Sequence, residues 1–101
     1  MSDIKKIPPF KLVAEPMDEE AQTLPKFKWA PDGVGTRHQL GGTPEFIQQE
    51  NWPKCSSCSK IMTFYAQLDS INDEFQIADC GMIYVFICFD CNETTSIIQS
   101  Y

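Results

Sequence analysis

The chain has 101 residues and a mass of 11.5 kDa, with 43% apolar and 22% charged residues, which leaves room for one small domain and excludes a multidomain enzyme. Fourteen acidic against eight basic residues give a formal charge of -6, a balance that argues against a nucleic-acid backbone or an anionic membrane as the main partner and favours a basic protein. A chain this short buries only about 60 to 65% of its unfolded surface, so an additional staple is expected.

Met1 to Phe10 carries two lysines and then Pro8 and Pro9 in place of an apolar core, so no secretory signal is expected. Six of the seven prolines and four of the five glycines fall in the first 44 residues. Pro9, Pro16, Pro25 and Pro31 exclude long helices and central strands there. Phe10 to Val13 and Lys26 to Ala30 are short strand candidates. Residues 1–37 are thus expected to form an extended proline-rich arm, and residues 38–101 a metal-binding β domain. After the Gly41-Gly42-Thr43-Pro44 turn, Glu45 to Gln49 is expected to make one helical turn, with Thr43 as N-cap and Pro44 as its first residue.

From Lys60 the pattern changes to period two. Met62, Phe64, Ala66 and Leu68 fall on one face and Ile61, Thr63, Tyr65 and Gln67 on the other, which predicts a half-buried strand. Ser70 to Gly81 is a polar, acidic connection. Met82 to Phe89 is apolar on both faces and rich in β-branched and aromatic residues, which predicts a central strand covered on two sides. It is the longest apolar run, and its eight residues fall well short of the about 20 that a membrane helix needs. Thr94 to Tyr101 is expected to add an edge strand. The fold class predicted is small and mainly β: an antiparallel, zinc-stapled sheet resembling a zinc-ribbon hairpin, in a soluble cytoplasmic protein.

The chemical signal is the pair of motifs Cys55-x-x-Cys58 and Cys88-x-x-Cys91. Two thiolates two residues apart grip one side of a tetrahedral Zn²⁺ while backbone amides stabilise the sulfurs, and two such knuckles complete the shell. The 29 residues between the knuckles exceed the about 15 to 20 of a compact ribbon. An antiparallel hairpin resolves the difficulty: a strand leaving Cys58 for roughly 26 Å, at about 3.3 Å per residue, and returning to Cys88 brings both pairs to one end. Disulfides and unbridged thiols are the competing readings. Four protein sulfurs leave no open position for water, so such a site is structural, and no enzyme is expected. Cys80 lies at the far end of the hairpin and reads as a packed free thiol. His38, the single histidine, reads as a surface loop residue and supplies no catalytic dyad.

Four thiolates and one Zn²⁺ would deepen the charge to about -8. Residues 51–101 carry only Lys54 and Lys60 against Asp69, Asp73, Glu74, Asp79, Asp90 and Glu93. The zinc half is therefore the acidic half, and a nucleic-acid-binding zinc ribbon, the alternative suggested by the knuckles, lacks the basic residues it needs. The candidate docking surface comprises Asp69, Asp73, Glu74 and Asp79, with Trp29, Trp52 and Phe75 as aromatic anchors; packing against the sheet is the competing role of both tryptophans.

The ordered motifs Leu40-Gly41-Gly42-x-Pro44, Phe46-Ile47-Gln48, Pro53-x-Cys55-x-x-Cys58, Met62-x-Phe64, Gln67-Leu68-Asp69, Asp79-x-Gly81 and Tyr84-Val85-Phe86 resemble the YwqG-like bacterial family (TYPP-type domain). More remotely they resemble programmed cell death protein two and the ribosome-biogenesis Tsr-type proteins. The resemblance covers roughly residues 38 to 101. It implies a β-rich, non-enzymatic, protein-binding fold: a chaperone of a ribosomal protein in the eukaryotic branch, and association with toxin-immunity loci in the bacterial one. Members of that family are much longer, and many bacterial ones lack the two cysteine pairs.

Overall fold

The computed structural model describes residues 5–101. Five strands form one antiparallel sheet: β1 (Phe10–Lys11), β2 (Gln39–Leu40), β3 (Thr63–Asp69), β4 (Met82–Cys88) and β5 (Glu93–Gln99), in spatial order β1-β2-β3-β4-β5. A single turn of helix, α1 (Glu19–Gln22), lies between β1 and β2, its first turn capped by the Asp18 carboxylate, which accepts from the Ala21 amide at 2.8 Å. No helix of the described residues is long and apolar enough to cross a membrane.

The two long β3 and β4 strands are the predicted hairpin, and β5 is the predicted edge strand. Their facing differs from the sequence expectation at two places. A β-bulge between Phe64 and Ala66 leaves Tyr65 without a partner, so Phe64 faces Phe86 but the next inward residues are Gln67 opposite Tyr84 and Asp69 opposite Met82. The bulge therefore sends Leu68 outward, 43% exposed, and turns Gln67 and Asp69 into the core face, where both are buried. Along β4, Met82, Tyr84, Phe86 and Cys88 are buried while Ile83, Val85 and Ile87 are only half-buried. This strand is central in the sheet but covered on one face.

The cover is the segment between β2 and β3. Met62, Phe64, Met82, Tyr84 and Phe86 form the core with Cys55 and Cys88, and Phe46 and Ile47 pack against it from the loop. Five aromatic rings run through it in a chain of four contacts, Phe64–Phe86 at 5.8 Å, Phe86–Trp52 at 5.7 Å, Trp52–Phe46 at 6.0 Å and Phe46–Tyr84 at 5.3 Å, spacings in the favourable range for edge and tilted pairs. Trp52 is thus a packing residue with one edge open to solvent, while Trp29 is almost fully exposed.

The helical turn expected over Glu45–Gln49 does not form. Its backbone groups are taken by side chains rising from the sheet: Glu45 N–H donates to Gln67 Oε1 (2.9 Å), Ile47 N–H to the Tyr84 hydroxyl (3.2 Å) and Gln48 N–H to Gln99 Oε1 (2.9 Å). The Tyr84 hydroxyl and the Gln99 amide donate in turn to the Glu45 and Gln49 carbonyls. A groups-for-groups exchange of this kind satisfies the loop without helical hydrogen bonds. Lys26–Ala30 likewise makes no strand; it is tied to the β3–β4 connection by Lys28 N–H on the Asp73 carboxylate and by the Asn72 amide on the Pro25 carbonyl. The N-terminal segment so becomes part of the same body, through these bonds and through β1 and β2.

Candidate metal centre

Each Cys-x-x-Cys pair sits on a tight backbone turn closed by a hydrogen bond from the residue after its second cysteine. Ser59 N–H donates to Cys55 O (2.8 Å) and Asn92 N–H to Cys88 O (2.7 Å), and both residues hold positive φ, 63° and 57°. Asparagine tolerates that conformation well; serine accepts it at some cost, a local strain characteristic of functional turns. The first knuckle stands on the short pairing of Lys54 with Ile61. The second begins at the last residue of β4, which is why the chain distance between them vanishes in space.

The four sulfurs of Cys55, Cys58, Cys88 and Cys91 lie within 4.8 Å of one another, and Cys58 and Cys88 are 3.8 Å apart. A tetrahedron with Zn–S bonds of about 2.3 Å has edges of about 3.8 Å, so the set fits a four-coordinate metal with little contraction. Disulfide bonds are absent from the described cysteines. The four-sulfur donor set is soft and closed, suited to a thiophilic ion held for structure.

The local field prepares the thiols for this role. The Cys58 backbone amide, with help from Ser57, draws the Cys55 thiol down to about 7. Around Cys58 the Lys60 amide acts in the same direction, but burial and the neighbouring Cys88 and Cys55 sulfurs outweigh it and the thiol is raised. Cys91 is pushed up to about 12, first by the Cys58 and Cys55 sulfurs beside it. Crowded sulfurs that resist sharing negative charge are the condition a bound cation relieves.

Two polar ties lock the knuckles together. Lys60 Nζ reaches the Asp90 carboxylate at 3.0 Å, linking the first to the second. The Glu93 carboxylate accepts from Ser56 N–H (2.8 Å) and from the Ser56 hydroxyl (2.6 Å), which holds its own pKa below the usual carboxylate range. Asp90 and Glu93 enter a sequence reading only as members of the acidic half; two acids at the second knuckle, facing Ser56 and Lys60 at the first, were the available signal for these ties.

Of the docking candidates, Asp69 requires correction. It is buried, its carboxylate held by Arg37 and by the Gly35 and Arg37 amides, because the bulge in β3 turns it inward. Asp73, Glu74 and Asp79 are exposed on the β3–β4 connection, with Phe75 49% and Ile71 57% exposed among them. That connection is firmly built: the buried Asn72 carbonyl accepts from the Glu74 and Phe75 amides, and buried Ser70 accepts from the Ile77 amide while donating to Gly81 O. His38 is also no simple loop residue, since its Nδ1 accepts from the Asp69 amide at 3.0 Å. Cys80 is a buried free thiol in the same region, remote from the four-sulfur cluster by the length of the hairpin.

The fold and this centre define a small antiparallel β protein with a four-cysteine metal-binding set. The chain is similar, at 39% identity over 64 residues, to the uncharacterized protein YpfL of Salmonella typhimurium; the match takes in 63% of this chain and 15% of that protein. No family model and no solved structure matches.

Proposed function

We propose that this chain is a zinc-stabilised, acidic protein-binding module that neutralises a basic protein by covering its active face, as the immunity factor of a secreted antibacterial toxin would. The observation that carries this reading is the β3–β4 connection. Ile71 and Phe75 stand exposed beside Asp73 and Glu74, on a loop whose backbone is held by Asn72 and Ser70. Apolar anchors rimmed by acids on a preorganised support are what a basic partner recognises, the charges speeding encounter and the aromatic supplying contact area. Zn²⁺ would be held by Cys55, Cys58, Cys88 and Cys91 and would supply folding energy, not chemistry.

Affinity capture from the native host, with the wild type and a Glu74→Lys/Asp79→Lys/Phe75→Ala variant in parallel, tests the docking role. A basic protein retained at low salt, released at high salt and missed by the variant is the expected result. Recovery of nucleic acid, or of no partner, removes this reading. Metal analysis giving about one zinc per chain is expected independently.

A further inference from the structure

We propose that two copies of this chain associate by pairing their β5 strands antiparallel about Ser96, which would join the two sheets into one. The sheet has two edges of opposite character. At one edge β1 is two residues long, follows Pro8 and Pro9 and carries Lys11 as its second residue, the devices by which proteins blunt an edge. At the other, β5 runs seven residues in unbroken register with β4, from Glu93 opposite Cys88 to Gln99 opposite Met82. It has no proline, glycine, lysine, arginine or bulge. Among the described residues, no backbone hydrogen bond runs from Glu93–Gln99 to any strand or loop other than β4, so its outer row of N–H and C=O groups is available to a strand and to little else.

The sequence of that edge suits its own copy. Antiparallel pairing about Ser96 sets Ser96 opposite Ser96, Thr95 opposite Ile97, Thr94 opposite Ile98 and Glu93 opposite Gln99. No like charges meet, whereas parallel pairing in register would place Glu93 on Glu93. Ile98, 59% exposed, stands on the open face of the sheet beside Ile83, and pairing extends that apolar strip across the dyad. β-Branched cross-strand partners of this kind are the unit of sheet stabilisation. The overall charge of -6 per copy opposes association at long range, so salt is expected to strengthen it.

Sedimentation analysis over a concentration series, from about 0.01 M to about 1 M salt, where the Debye length falls from about 30 Å to about 3 Å, reads the equilibrium directly. A monomer–dimer equilibrium that tightens with salt is expected. Thr94→Lys/Ile98→Lys puts lysines opposite each other across the dyad and should weaken dimerisation about tenfold or more, while Thr94→Lys/Ile98→Glu sets opposite charges face to face and should restore it. Both positions are exposed, so zinc content and circular dichroism should stay unchanged. A monomer at every concentration, or a dimer equally strong in both variants, overturns the proposal.

Discussion

Arg37 grips Asp69 in a two-pronged ion pair, Nη2 to Oδ1 at 2.6 Å and Nε to Oδ2 at 2.8 Å, across 32 residues of chain. The carboxylate is fully shielded from solvent and the guanidinium nearly so. Arg37 also donates to Cys80 O at 2.9 Å, so one side chain ties the approach to β2, the end of β3 and the start of β4. Removing one partner of a buried pair leaves the other uncompensated, at a cost of about 3 to 5 kcal/mol. Asp69→Asn is expected to lose stability on that scale in urea unfolding, with the fold retained.

The same pair sets an acid limit. Burial raises the Asp69 carboxyl, but Arg37 and the Gly35 and Arg37 amides lower it further, so its folded pKa lies below the ordinary value. A carboxyl depressed on folding stabilises fully above its unfolded pKa of about 3.9, and that contribution disappears as pH falls through the lower folded value. The stability gap between wild type and Asp69→Asn should be constant from neutral pH to about pH 5 and close below about pH 4. A gap independent of pH would place the effect elsewhere.

Cys58→Ser or Cys88→Ser should abolish stoichiometric metal and lower the midpoint of thermal unfolding sharply, because metal binding and folding are coupled. Chelator should reproduce the loss in the wild type and leave the variants unmoved. Cys80→Ser should retain the metal and shift stability by no more than about 1 to 2 kcal/mol.

Tyr84→Phe keeps the ring against Phe46 and removes the hydroxyl that accepts from Ile47 and donates to Glu45. Two backbone groups then lose their partner, at a cost of about 1 to 3 kcal/mol. Hydrogen exchange at the Ile47 amide should accelerate more than exchange in β4 beside Val85, which should rise no further than the loss of global stability requires.

Much of the site was legible beforehand. The Cys-x-x-Cys spacing named the four sulfurs, and the period-two segment from Lys60 to Leu68, with the apolar run from Met82 to Phe89 returning alongside it, brought them to one end of a hairpin. The knuckle turns are local chemistry, set by a few adjacent residues. The burial of Asp69 was not legible, because the alternation of apolar residues in β3 looks regular up to Leu68, and the bulge at Tyr65 that reverses it depends on how β3 meets β4.

The sequence by itself determined the antiparallel β class, the edge position of β5, the metal-ligand set and the short-element character of the proline-rich half. These follow from spacing, chirality and the missing proline donors, which act within a few residues. Only the tertiary structure decided that Glu45–Gln49 forgoes its helix, that Asp69 and His38 turn inward, and that one face of β4 stays open. In each case the deciding partner, Tyr84, Gln99, Arg37 or a second layer over β4, lies dozens of residues away or is supplied by no segment among the described residues, and local preference is too weak to prevail against buried hydrogen bonds and core packing.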